Sequence, residues 1–291
     1  MRNFIKYSKL KLRDRPESCT PVGPDFNSST TQSVLLVGTR IVFKAPRHDP
    51  SPYGKTPQRR MKKSYSLKSA RLLNRNEQPS QSWQHTALFF RSWSFCGPWF
   101  TGHMGSVSCY LDVIQLAEPN PQVNFIHPRA LEAAALAFLT ATYGHRVYCK
   151  KTGEMHYIGP LNWSALKQLD VLSVQFDSEN TFSGADPVRH VFIPVSRSHI
   201  VRFALSIHQS ASGTREEVDK KVDPAPFKEL VDNIVGSIQV TLSPEAQADW
   251  DEIKKNNPDA KVSETCAPLK WPADVDKDGL TILEYDPKRY A

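Results

Sequence analysis

Residues 86–95, TALFFRSWSF, and residues 107–116, VSCYLDVIQL, decide the fold of this chain. Both stretches are rich in aromatic and β-branched residues, and a shorter run of the same kind, 99–101, lies between them. Glycines at positions 97, 102 and 105 separate the three runs. Apolar runs punctuated by glycine are typical of consecutive antiparallel strands. We therefore expect a sheet at the hydrophobic centre of the protein.

Outward from this sheet, strand-like and helix-like patterns follow one another without regular alternation. Residues 128–143 are the clearest helix pattern, because Pro128 suits a first helical position and Gly144 a C-terminal stop. Three shorter helices are predicted at 163–169, 226–236 and 244–256, the last with Ser243 as its N-cap. Further strands are predicted at 147–150, 155–158, 171–176, 188–195, 200–208 and 237–242. Such a mixture predicts an α+β fold with mainly antiparallel sheets and a few packed helices.

Positive charge is concentrated at one end of the chain. Residues 1–77 contain 17 Lys and Arg against 5 Asp and Glu, whereas the remaining 214 residues contain 20 against 25. The whole chain carries a formal charge of +7, so its basic character belongs to the N-terminal part. A basic arm on a mildly acidic body favours a binding protein that is steered by electrostatics over an enzyme.

The pattern divides the chain into four regions. Residues 1–45 form a basic segment with a short hairpin, because two strand-like runs, 34–37 and 40–45, flank Gly38-Thr39. Residues 46–84 are rich in proline, serine and basic residues and lack apolar periodicity, so a solvated loop or linker is predicted. Residues 85–256 form the α+β body, as one unit or two subdomains, and residues 257–291 form a tail.

The location predicted from the sequence is the cytosol. No run reaches the roughly 18 apolar residues that a membrane span needs. The N-terminus places a charge every few residues and has no apolar core for a secretory signal. Its Lys- and Arg-rich start also fits a transit peptide, but Asp14, Glu17 and Asp25 follow closely and weaken that alternative.

The common catalytic and cofactor motifs are missing from the sequence, so we expect no catalysis, no metal and no cofactor. There is no phosphate-binding glycine loop, and the cysteines lie too far apart for a C-x-x-C metal site. Asp274, Asp276 and Asp278 open like a calcium loop, but Tyr285 stands where the final glutamate should be. Glu252 and Lys254 match half of a nuclease motif but fall on a predicted helix. An enzyme with an unfamiliar site around His103 and Ser106 stays a further alternative.

The second half of the chain resembles a known family. Residues 192–208, FIPVSRSHIVRFALSIH, are followed by an amphipathic helix and by residues 238–250, IQVTLSPEAQADW. Together with GPWFTG at 97–102, these segments resemble bacterial type VI secretion immunity proteins. The resemblance covers roughly residues 85–255 and includes no diagnostic binding motif.

This resemblance implies a cytosolic antitoxin that binds a cognate effector toxin and covers its active site. If the effector is a nuclease, its active site accepts phosphates, and carboxylates on the inhibitor suit such a site. Three acidic clusters are candidates for this contact, two in predicted loops and the last on a predicted helix. They are Asp177, Glu179 and Asp186; Glu216, Glu217 and Asp219; and Asp249, Asp251 and Glu252.

A competing interpretation uses the basic region. Arg59, Arg60, Lys62 and Lys63 are clustered, with further basic residues before and after them. Such a run can neutralise several phosphates, which predicts salt-sensitive binding. Only Tyr53 and Tyr65 lie among these residues as stacking aromatics. The alternative function is therefore a nucleic-acid-binding accessory protein that uses residues 40–75.

Overall fold

Two antiparallel sheets and a few helices form the fold, which confirms the predicted α+β class. The structure is a computed structural model and describes residues 18–50, 57–67, 71–72, 82–98, 102–144, 157–180 and 187–271. The smaller sheet has the order β1-β2-β10, and the larger one has the order β3-β4-β5-β9-β8-β7-β6. The strands are β1 Thr30–Leu36, β2 Thr39–Ala45, β3 Arg71–Leu72, β4 Trp83–Cys96, β5 His103–Leu116, β6 Tyr157–Ser164, β7 Val174–Asn180, β8 Val188–Pro194, β9 Ile200–Gln209 and β10 Gln239–Thr241.

A hairpin of β1 and β2 lies where one was predicted, but its turn is Val37-Gly38 and not the predicted Gly38-Thr39. Leu36 pairs with Thr39, so Val37 and Gly38 alone make the turn. Both have positive φ, 48° and 81°, which matches the twist of tight hairpin turns. Strand β10 pairs with the other side of β2, so residues 239–241 complete the sheet that begins near residue 30.

The larger sheet separates two hydrophobic cores. Successive residues of a strand face opposite sides, and Val201 and Ile200 accordingly belong to different cores. In the first core, the ring of Phe43 packs edge-on against Phe89 and Phe203, with centroids 5.3 and 5.1 Å away. This core joins the smaller sheet to the larger one. The second core lies on the other face, where the ring centroids of Phe138 and Phe192 are 5.6 Å apart.

The described residues include four α-helices: α1 Pro128–Leu139, α2 Arg215–Lys221, α3 Ala225–Gly236 and α4 Pro244–Asn256. Helix α1 begins at Pro128 as predicted, and a π-helical turn, Thr140–Gly144, continues it. Helix α4 matches its predicted bounds, and Ser243 is the N-cap that accepts a hydrogen bond from the Ala246 backbone N–H. Helix α3 packs on the first core, whereas α1 and α4 pack on the second.

Two local predictions are wrong. The predicted helix at 163–169 is absent, because β6 continues to Ser164 and a turn follows. Trp163 and Leu166, whose spacing suggests a helix face, enter different cores. The acidic residues near 216, predicted to lie in a loop, form helix α2.

The predicted solvated loop is also wrong for the described parts of residues 46–84. Asp49 pairs with the backbone on both sides of Trp93, and Arg59 forms an antiparallel bridge with Phe90. Tyr65 donates from its hydroxyl to the Leu88 carbonyl at 2.8 Å. These segments therefore cover the edge of β4.

The described part of the predicted tail, residues 257–271, packs on the second core. Val262 and Trp271 are buried there, and the backbone N–H of Leu269 donates to the Gly159 carbonyl. None of the described helices is long and apolar enough to cross a membrane. The strands predicted at 99–101 and 147–150, and the calcium-like loop from Asp274, lie outside the described residues.

Candidate functional site

The first predicted acidic cluster is not a loop. Asp177 and Glu179 lie on β7, and Asp186 lies outside the described residues. Asp177 is buried and forms a bidentate ion pair with Arg189. The side-chain amide of Asn162 donates a further hydrogen bond to its carboxylate at 2.8 Å. The Asp177 carboxylate is therefore buried and bonded within the fold, so a partner protein cannot contact it.

The second cluster is partly used by helix α2 itself. Glu217 and Thr214 form a reciprocal capping box, and this contact lowers the pKa of the Glu217 carboxyl. Asp219 accepts a hydrogen bond from Arg215 at 3.1 Å, one helical turn away. Glu216 is exposed, and the structure gives its carboxylate no ion pair within the described part of the chain.

The third cluster lies on α4 as predicted. Arg197, in the loop between β8 and β9, donates to both oxygens of Asp249 at 2.8 and 2.6 Å. These hydrogen bonds lower the pKa of the Asp249 carboxyl. Asp251 and Glu252 are exposed, and neither forms an ion pair among the described residues. Asp251 accepts one hydrogen bond, from the side-chain amide of Gln247 at 2.9 Å. Asp251 and Glu252 are the carboxylates of this cluster that a partner can reach.

The structure does not bring the acidic clusters together. Val222, the residue that caps the C-terminus of α2, belongs to the first core, whereas α4 buries Ala246 and Trp250 in the second. The two cores lie on opposite faces of the larger sheet. A single compact target can therefore engage α2 or α4, but not both helices at one small site.

Comparisons with protein-family models, curated proteins and solved structures find no match.

The basic residues of the alternative interpretation lie on fixed backbone at the surface. Arg59, Arg60, Lys62 and Lys63 are exposed and form no ion pair within the residues described. The Lys63 carbonyl accepts a hydrogen bond from Leu35 of β1, and Arg59 pairs with β4, so this run links the edges of the two sheets. Tyr65 is half-buried and its hydroxyl is engaged by backbone groups, which removes it as a base-stacking platform.

His103, the centre of the enzyme alternative, is packed inside the fold. It is buried at the start of β5, and its Nδ1 is 3.2 Å from the Ser210 hydroxyl. Burial, together with the nearby His208, lowers the pKa of His103 to about 4. A ring of this kind is a weak base at neutral pH, which argues against a general-base role.

A buried ion pair lies beneath helix α1. Arg202 donates to both oxygens of Asp112 at 2.9 and 2.6 Å, and its guanidinium lies 4.7 Å from the centre of the Phe138 ring. Burial raises the pKa of Asp112, but Arg202 and the ring of His85, whose Nδ1 lies 3.6 Å from the carboxylate, outweigh burial and lower it to about 2. In the part of the chain that the structure describes, no three His, Cys, Asp or Glu side chains lie close enough together to hold a metal ion.

A feature that the sequence did not predict is a pair of adjoining cavities. They measure about 360 and 570 Å³ and share the apolar residues Leu116, Val123 and Phe125. We call the two together the groove. The smaller cavity reaches Arg197 and His199, and the larger one reaches α1 and Ile253 of α4.

One wall of the groove is a row of alanines. Ala130, Ala133, Ala134 and Ala137 of α1 line the larger cavity, and Ala133 and Ala137 are exposed. The opposite side of α1 carries the buried apolar stripe predicted from the sequence. A helix with alanine instead of charged residues on its outer side is the sequence signal that indicates this wall.

Proposed function

We propose that this chain is an immunity protein that binds and neutralises a cognate type VI secretion effector. The effector in this proposal is a nuclease toxin that acts in the cytosol, and the inhibitor covers its active site without catalysis. The observation that supports the proposal is the position of Asp251 and Glu252 on α4, exposed and without ion pairs among the described residues, next to the groove that Ile253 lines.

Carboxylates at this position suit a target that binds phosphates. A nuclease active site concentrates positive charge, so exposed carboxylates on an inhibitor accelerate association and favour one orientation. The adjoining apolar surface then supplies burial, which determines how slowly the complex dissociates. A cytosolic target also requires the inhibitor to be present in the cytosol, which is the location we propose.

Co-expression with the proteins encoded by the genes on either side of this one tests this proposal. We expect a stoichiometric complex in size exclusion and rescue of growth in cells that produce the toxin. Absence of both the complex and the rescue would overturn the proposal.

Charge reversal then tests the contact surface. The double variant Asp251→Lys and Glu252→Lys should slow association by at least about tenfold at low salt, because it replaces attraction with repulsion. Glu229→Lys with Asp170→Lys is the matched control, because it changes the net charge equally and both residues are exposed and belong to none of the acidic clusters. Equal association rates for the double variant and the control would exclude α4 as the contact.

Nucleic-acid binding through residues 59–63 is a second candidate function, and we infer it from their exposure on backbone held by both sheets. Substituting Arg59, Arg60, Lys62 and Lys63 with Gln should weaken duplex binding. The plot of log affinity against log salt concentration should also become less steep, by about 0.9 for each phosphate that the variant no longer neutralises.

A control variant makes this test specific. Lys167→Gln with Lys228→Gln, both at exposed positions elsewhere, is the control. Point substitutions are needed because deleting residues 46–84 would also uncover the edge of β4. Absence of salt-dependent duplex binding by the unmodified chain would exclude this function.

A further inference from the structure

We propose that the groove binds an amphipathic segment of the partner protein, whose apolar side chains enter the two cavities and whose Lys or Arg residues face α4. This inference rests on the proposed function, because it specifies which segment of the partner docks beside the α4 carboxylates. The groove and the immunity function can nevertheless be tested separately.

The shape of the groove supports an elongated apolar occupant. Its two cavities adjoin along Leu116, Val123 and Phe125, so side chains on one face of a short helix can enter both. Their volumes, about 360 and 570 Å³, are comparable to those of pockets that hold small ligands, which run to roughly 300–1,000 Å³. The exposed methyl groups of Ala133 and Ala137 allow a backbone to approach α1 closely.

Three cations near the groove, Arg197, Arg129 and Lys254, are each held by a contact within the protein. Arg197 is neutralised by its bidentate contact with Asp249. On α1, the guanidinium of Arg129 is likewise held by Glu132 at 2.8 Å. Lys254 lies over the ring of Trp250, 4.8 Å from its centre.

The carboxylates near the groove are more available than these cations. Glu252 is exposed and precedes the lining residue Ile253. The pKa of the Arg197 guanidinium is raised mainly by its hydrogen bonds to Asp249, and the charge of Glu252 adds to this effect. Glu118 is exposed beside Pro119, which lines the smaller cavity. A partner with apolar residues flanked by Lys or Arg therefore complements both the walls and the rim.

A synthetic helical peptide tests the groove without the effector. The probe is a fluorescein-labelled peptide with Leu at positions i, i+3, i+4 and i+7 and Lys elsewhere, and its binding to the full chain is measured by fluorescence anisotropy. The comparison peptide replaces every Lys with Glu. We expect the Leu/Lys peptide to bind at least about tenfold more tightly than the Leu/Glu peptide.

Substitution of the alanine wall identifies the binding surface. Ala133→Arg should reduce the affinity for the Leu/Lys peptide at least about tenfold, because the long side chain occupies the larger cavity. Ala225→Arg, at an exposed alanine of α3 on the other side of the sheet, should leave the affinity unchanged. Equal affinities for the two variants, or for the two peptides, would overturn the proposal.

Two other occupants of the groove would give different results in these binding experiments. If residues 272–291 of this chain occupy the groove, their deletion raises the affinity for the peptide. If a second copy occupies it, the chain dimerises and Ala133→Arg makes it monomeric. Either result would overturn the proposal of a partner segment.

The effector experiment then separates the groove from the immunity function. If Ala133→Arg leaves the effector complex intact, the groove is not the docking site, while the immunity function stands. If no effector complex forms but the Leu/Lys peptide binds as expected, the immunity function fails and a groove for basic amphipathic segments remains.

Discussion

At the scale of single residues, the two bidentate Arg–Asp contacts beside α1 and α4 differ in their surroundings. Arg202 and Asp112 are enclosed beneath α1, with side chains 12% and 6% exposed. Arg197 and Asp249 lie at the surface, where the arginine side chain is 63% exposed. Water screens the surface pair, whereas the buried pair has lost its hydration and depends on its own hydrogen bonds.

Arg202→Met is expected to destabilise the protein by about 3–5 kcal/mol, because it leaves Asp112 charged and buried without its partner. The double variant Asp112→Leu with Arg202→Met should recover much of this stability, because it removes both charges. Urea unfolding at neutral pH measures the effect. Arg197→Met is the matched control, with an expected destabilisation below about 1 kcal/mol. Similar destabilisation by the two single variants would contradict the argument.

His190 makes the stability sensitive to pH. Its side chain is fully buried, and Nε2 is 2.9 Å from the Ser178 hydroxyl. Burial first, and then Arg202, lowers the pKa of His190 to about 3 from an ordinary value of 6.5. Because the folded-state pKa is lower than the unfolded one, its contribution to stability is complete above about pH 6.5 and declines as the pH falls toward 3.

Between pH 7 and pH 4.5, the stability of the unmodified protein should therefore decrease more than that of His190→Gln, by on the order of 2 kcal/mol. Urea unfolding at both pH values gives the difference. His127→Asn is the control, because it removes an exposed ring but retains a good N-cap for α1. An equal decrease in His190→Gln and the unmodified protein would show that His190 does not titrate in this range.

At the scale of elements, the strands were predictable where their residues alternate or form long apolar runs, as in β4, β5, β8 and β9. Helix α2 is harder to predict because it is short and charged, although Thr214 and Glu217 carry a capping-box signal. Trp163 and Leu166 have helical spacing but enter different cores, so their pattern indicates a helix that does not form. Pairing across the chain, such as β10 with β2, leaves no local signal in the sequence.

The turn of the β1–β2 hairpin holds a residue that is poorly suited to its conformation. Val37 has φ 48°, a left-handed value that is costly for a β-branched side chain, and it is 47% exposed. Asn tolerates this conformation and forms the preferred pair with a following glycine. Val37→Asn should therefore stabilise the protein by about 1 kcal/mol, measured by urea unfolding. Val37→Thr retains the β-branch and should give no gain; an equal gain for both variants would exclude the backbone explanation.

At the scale of the whole molecule, the sequence identifies acidic candidate residues but not the surfaces they form. Sequence could not show that Asp177 and Asp249 are held by Arg189 and Arg197, which leaves Asp251 and Glu252 available. The groove could not be predicted from the sequence either, because its walls come from distant parts of the chain, near residues 116–125, 130–137 and 253. Only the outward-facing alanines of α1 give a local indication of it.

The N-terminal hairpin and the body depend on one another, although composition divides them near residue 45. Phe43 fills the space between Phe89 and Phe203, and Arg91 donates to the Ala45 and Pro46 carbonyls at 3.1 and 2.6 Å. Thr39 donates to the Val195 carbonyl and accepts from the backbone of Ser243, at the start of α4. Removing the hairpin therefore exposes the first core and unpairs β10.

A fragment of residues 82–271 should accordingly fail to fold cooperatively, because the free energy of folding is a small difference that cannot tolerate the loss of five buried residues of the first core. These residues are Val34, Leu36, Ile41, Phe43 and Ala45. We expect weak near-ultraviolet circular dichroism and no sharp urea transition. The control is residues 18–291, which retains every contact described above, because these begin at Cys19 and its pairing with Val222. A cooperative transition in the fragment would show that the hairpin is an accessory to an independent body. A transition only in the control would show that the basic N-terminal region and the acidic α4 surface belong to one folding unit.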